Sequence, residues 1–129
     1  MIASGNNGWV DAMGGPGCIS TAVGVGSTTD GDTVSSFSNS HDMVDLLAPG
    51  SSIDSSIPND TWANYQGTSM ATPHVAGAWA VLRAADPTAT VDEILTAFQD
   101  TGVLVTDTRS GGLHTKPRIQ LDAALMELR

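Results

Sequence analysis

The sequence predicts a single domain of mixed α and β structure over residues 1–129, and three observations point to it. Short β-rich stretches separated by Gly, Pro and Asn-Asp turns fill the first half of the chain. A long apolar segment, residues 68–85, carries no charge until Arg83 and reads as the longest helix. Behind it, Thr90-Val91-Asp92-Glu93 reads as a capping box that opens a second helix. At 129 residues the chain can bury a core of its own, and 40% hydrophobic against 15% charged residues suits a compact, turn-rich protein.

In chain order, residues 1–3 read as the end of a strand that enters a loop over residues 4–17. Gly14, Gly15, Pro16 and Gly17 exclude regular structure there. Residues 19–25 form the next β-rich stretch, and Asp30-Gly31 marks a turn. Residues 34–38, 44–48 and 52–56 are three more short strands, punctuated by Pro49-Gly50 and Pro58-Asn59-Asp60. The helix over residues 68–85 is apolar on nearly every side, which predicts burial; Pro73 sits in its first turn, where a missing N–H costs little. Asp86-Pro87 breaks it, the second helix runs through Ile94, Leu95, Ala97 and Phe98 to stop at Gly102, and residues 121–128 make a short last helix.

Charge narrows the function classes. Five Lys plus Arg against fourteen Asp plus Glu give a net charge of −9, with no basic footprint for a phosphate backbone, so no nucleic-acid partner is expected. The acids, among them Asp30, Asp32, Asp42, Asp45, Asp92 and Glu93, are scattered as on a solvated surface. No apolar run is long enough to cross a bilayer, and the first residues lack the basic and apolar regions of a signal peptide. Cys18 is the single cysteine, so no intrachain disulfide can form.

The chemistry concentrates in Gly67-Thr68-Ser69-Met70-Ala71-Thr72-Pro73-His74-Val75-Ala76-Gly77. A serine here stands on a glycine-led turn at the mouth of a helix, with its hydroxyl exposed and its own N–H unsatisfied in a partly positive field. That suits attack on a carbonyl and retention of the resulting oxyanion. A serine that merely caps the helix is the plainer alternative. The eleven positions resemble the nucleophile motif of the subtilisin-like serine proteases, which makes Ser69 the implied nucleophile. Ala3-Ser4-Gly5-Asn6-Asn7-Gly8 is similar to the segment that carries the family's oxyanion-hole asparagine, at Asn6, although Asn-Asn-Gly is also a common turn.

The resemblance extends through Pro16-Gly17-Cys18, Ser36-Phe37-Ser38-Asn39 and Leu47-Ala48-Pro49-Gly50 to Arg118-Ile119-Gln120-Leu121-Asp122. It implies an α/β fold, part of the subtilisin-like architecture, with a mostly parallel sheet, helices on both faces and a buried nucleophile-bearing helix. It also implies that Ala3, Ser4, Gly5 and Gly17 line a pocket for the residue before the scissile bond, and that the protein is secreted. Calcium commonly stabilises the family, but no ligand set is recognisable here and no metal or cofactor is assigned.

The departure from the family is the triad. Subtilisin-like enzymes place their Asp and His before the Asn6 region, where this sequence begins. Asp100-Thr101-Gly102 imitates the Asp motif but reads as a helix end, and His74 belongs to the nucleophile motif as a packing residue. His41 and His114, both in loops, are the remaining candidate bases. The expected activity is a serine hydrolase that acts on small esters more readily than on peptides, joined in a homo-oligomer or by a complementing N-terminal segment. Two alternatives stand beside it: a minimal esterase with an improvised His base, and a non-catalytic complementation or scaffold fragment.

Overall fold

The structure, a computed structural model, describes residues 1–128, with the side chain of Ser110 excepted. Ten strands and α-helices follow one another among the described residues: β1 (Ile2–Ala3), β2 (Gly24–Thr28), β3 (Leu46–Pro49), β4 (Ile53–Ile57), β5 (Thr61–Tyr65), α1 (Thr68–Ala85), α2 (Val91–Thr101), β6 (Val103–Thr106), β7 (Thr115–Arg118) and α3 (Leu121–Glu127), with a short 3-10 turn at Thr108–Ser110 between β6 and β7. The main sheet has the order β1-β2-β3-β7-β6; β1, β2, β3 and β7 run parallel, and β6 is antiparallel to β7. β4 and β5 pair antiparallel as a separate ribbon. The α/β class and the mostly parallel sheet follow the expectation.

Alternation along β3 divides the core. Leu46 and Ala48 face a cluster with Val75 and Leu82 of α1, Ile94 and Phe98 of α2, and Ala124 of α3. Leu47 turns the other way, to Val44 and Val105, where Met13 and Val34 complete a smaller cluster. All three helices thus pack on one face, where helices on both had been expected. The opposite face is covered by loops and by a buried polar knot. There Asp107 accepts from Arg109 Nε at 2.9 Å, from Arg109 Nη2 at 2.7 Å and from the Ser40 hydroxyl. Burial pushes the Asp107 carboxyl up, but the bonds from Arg109 and Ser40 outweigh it and hold the group below the usual carboxylate range.

Several expectations need correction. Residues 19–23 are turn, and the strand starts at Gly24. Residues 34–38 make a single bridge, Val34 to Thr28; their hydroxyls instead form a chain in which Ser35 Oγ lies 2.8 Å from both Ser27 Oγ and Ser51 Oγ. β5, β6 and β7 were not anticipated. Helix α1 has the expected bounds but is not buried on every side: Thr68, Ala71, Val75, Ala78 and Leu82 face the core, whereas Ala76, Gly77, Ala80, Val81 and Ala84 are exposed. The α2 capping box is complete, with Glu93 N donating to Thr90 Oγ1 at 3.2 Å and Thr90 N to Glu93 Oε2 at 2.6 Å.

Candidate active site

The site grows from the first turn of α1. Gly67 precedes the helix at φ 152°, a conformation that L side chains rarely adopt, and its N–H donates to Gly50 O at 2.8 Å, so the end of β3 props the turn. A helix leaves its first four N–H groups without intrahelical partners. Here Met70 N and Ala71 N both turn back to Gly67 O, at 2.9 and 3.3 Å. Thr68 N donates to Asn6 Oδ1 at 2.8 Å. Among the described residues only the Ser69 N–H of these four donates to nothing, and Ser69 is exposed.

Asn6 reaches this turn from the loop after β1. Its Oδ1 accepts both the backbone N–H and the hydroxyl of Thr68, each at 2.8 Å, which fixes the amide and leaves its Nδ2 without an acceptor among the described residues. The Thr68 hydroxyl, fully buried, in turn accepts from Gly5 N at 3.3 Å. Among the described residues two donors, Ser69 N–H and Asn6 Nδ2, are thus without acceptors around the first turn of an eighteen-residue helix, at its positive end. The role of Thr68 was not foreseen, since its partner lies 62 residues away and no local pattern signals it.

The proposed pocket residues divide. A Cβ on Gly17 would lie 3.1 Å from Ala3 O and 2.9 Å from Gly14 O, so Ala3, Gly14 and Gly17 meet backbone to backbone beside the Asn6 loop. Gly5 sits on that loop at φ +104°. Ser4 is fully buried with its hydroxyl donating inward to Asn39 O at 3.0 Å, so its side chain offers nothing to a pocket.

The histidines lie elsewhere. The rings of His41 and His114 are 6.4 Å apart and border the small cluster of Val44, Leu47 and Val105, on the sheet face opposite α1. His114 is buried, with Nε2 3.3 Å from Asp11 Oδ1 and Nδ1 3.2 Å from Asp42 Oδ1. The chain does not bring either ring to Ser69. His74, expected to pack, is exposed on α1 with Nδ1 2.8 Å from Met70 O. Asp100 lies within α2, as a helix end rather than a site residue. For calcium, no group of three or more His, Cys, Asp or Glu side chains among the described residues could hold a metal, and Asp45 Oδ2 is engaged by Gly24 N at 2.7 Å.

Known proteins share the sequence pattern and the fold of this chain. The model of the subtilase family matches residues 1–118. The intracellular serine protease of Paenibacillus polymyxa is 46% identical over 87 residues, 64% of this chain and 27% of that protein. Alkaline serine exoprotease A of Vibrio alginolyticus is 41% identical over 112 residues, 84% of this chain and 21% of the relative. The crystal structure of a cold-adapted subtilisin-like serine proteinase superposes with a TM-score of 0.80 at 36% identity, over 93% of this chain and 44% of that one. The chain thus spans about a quarter of the length of these curated relatives and under half of the solved structure. With a family model that matches residues 1–118 and a shared fold, this chain belongs to the subtilase family.

Proposed function

We propose that this chain supplies the nucleophile and the oxyanion donors of a serine-hydrolase site, while base and acid come from a complementing N-terminal segment outside this sequence. One observation carries the reading: among the described residues the only N–H of the α1 first turn without an acceptor belongs to Ser69, and the Asn6 amide, its Nδ2 likewise without one, is fixed on the neighbouring Thr68. Ser69 Oγ attacks the carbonyl carbon of a peptide or small ester as the base takes its proton. The negative oxygen forms between Ser69 N–H and Asn6 Nδ2. Collapse expels the amine or alcohol, which receives that proton, and water then releases the acid from the acyl-serine. Losing one such donor costs about 10²–10³ in turnover, a magnitude established on a subtilisin asparagine rather than obtained from this chain. Without a base, roughly 10³–10⁴ of acceleration over water remains, again a subtilisin figure, which reaches activated esters before it reaches peptides.

The surface supports a second segment. α1 exposes Ala76, Gly77, Ala80, Val81 and Ala84 along one side, a Cβ built on Gly77 would touch nothing, and β1 pairs only with β2 among the described residues. A parallel strand is ordinarily covered, and such a helix side accepts a close neighbour. A second copy of the chain would meet the same surface. The test is hydrolysis of a p-nitrophenyl ester by the chain and its Ser69→Ala variant, each alone and mixed with the N-terminal part of a subtilase. Activity that needs Ser69 and rises on mixing supports the proposal. Equal inertness of the two proteins under every condition overturns it.

A further inference from the structure

We infer that Asn39 is the positioning residue of the oxyanion loop, setting where Asn6 points although it touches neither Ser69 nor substrate. The inference rests on the reading of Asn6 given above. Asn39 is 1% exposed, and its hydrogen bonds go almost entirely to one six-residue stretch, Ser4 to Trp9. Its Oδ1 accepts from Asn7 N and Trp9 N, both at 3.0 Å. Its Nδ2 donates to Ser4 O at 3.0 Å and to Asn7 Oδ1 at 3.1 Å. Its backbone N–H donates to Gly5 O at 3.0 Å, and its carbonyl accepts from the Ser4 hydroxyl at 3.0 Å, with Ser38 Oγ at 3.3 Å as the one bond outside the stretch among the described residues. Both lone pairs and both hydrogens of the carboxamide are therefore used. The donors and acceptors around it also settle which side of the amide is oxygen.

Two features show that this is a built device. A side chain on Gly5 would place its Cβ 2.5 Å from Asn39 Nδ2, so glycine at position 5 and asparagine at 39 occupy one space between them. The bonds also bracket Asn6 on both sides, at Ser4–Gly5 and at Asn7–Trp9, while among the described residues Asn6 itself bonds only to Thr68. Thr68 holds the Asn6 amide; Asn39 holds the backbone that delivers it.

Aspartate is the informative replacement, because it has the same shape without the Nδ2 donor. In Asn39→Asp an ionised carboxylate faces two acceptors, Ser4 O and Asn7 Oδ1, whereas a protonated one can donate again. The readouts are hydrogen exchange at the Asn7, Trp9 and Gly14 amides and the side-chain carboxamide resonance of Asn6, and neither needs a working hydrolase. Failure here is thus distinct from failure of the proposed function. The expected result is loop exchange roughly tenfold or more faster in Asn39→Asp at neutral pH, the equivalent of one buried hydrogen bond, with return toward parental rates in acid. The Asn6 resonance should move with the same titration, while amides of β2 and α2 keep their rates. Asn7→Ala, at an exposed residue, should loosen the Trp9 amide in the same direction without unfolding the chain. A loop in Asn39→Asp that matches the parent at every pH, or an Asn6 resonance unmoved in both variants, would overturn the inference.

Discussion

Replacing Thr68 by valine tests the clasp between the Asn6 loop and α1. Valine keeps the volume of this fully buried side chain but removes the hydroxyl that donates to Asn6 Oδ1 at 2.8 Å and accepts from Gly5 N at 3.3 Å. Asn6 Oδ1 is not orphaned, because the backbone N–H at position 68 still reaches it at 2.8 Å. Gly5 N–H loses its only partner among the described residues, and the expected cost is about 1–3 kcal/mol. For a domain of this size, melting falls by about 4 °C per kcal/mol, so Thr68→Val should melt about 4–12 °C below the parent in a circular-dichroism scan. Thr68→Ser, which keeps the hydroxyl and loses only a methyl group, should recover part of that loss. If Thr68→Val melts within about 1 °C of the parent, or below Thr68→Ser by nothing measurable, the clasp does not hold the loop.

Two further perturbations follow from charged groups. Arg109→Met removes the countercharge of the buried Asp107 carboxylate, which keeps the Ser40 hydroxyl and the backbone N–H of residue 109, and removes the donors to Ser36 O and Ser38 O, so a loss of about 3 kcal/mol is expected in denaturant titrations at neutral pH. Because the Asp107 carboxyl is held below its usual range in the parent, that stabilisation is present above the ordinary carboxylate range and lost as pH falls through and below it; the gap between parent and variant should narrow in acid. Glu93 is lowered by the backbone N–H and then the hydroxyl of Thr90, with the same sign. Thr90→Ala should therefore lower the melting temperature more at neutral pH than in acid, and an equal loss at both would refute the assignment.

Much of this was legible locally and much was not. The bounds of α1 and the start of α2 follow from short-range patterns, an uncharged small-residue run and a capping box, and the structure places them there. Ser69 and Asn6 each stand in a distinctive short motif, so they could be singled out without knowing that Thr68 joins them. β7 could not be read, because Thr-Lys-Pro-Arg is polar and contains a proline; it becomes a strand only through pairing with β3 and β6. Thr61–Tyr65 was hidden in the same way, since its residues are largely exposed and its order comes from β4 alone. The burial of α1 was overestimated because its composition suits cover on all sides, whereas these residues cover only one. Asn39 read as part of a resembling segment, but its work is done on residues 30 to 35 positions earlier.

The Asn6–Thr68 clasp spans 62 residues of chain, and it has a consequence for the cell that makes the protein. Closing so long a loop costs entropy that only the folded sheet repays, so the pair of donors comes into being together with tertiary structure. A nascent or unfolded chain then presents Ser69 at a fraying helix end with no asparagine beside it. Under the proposed function folding itself acts as the safety catch: the two donors come together only once the first strand and α1 are held by the same sheet.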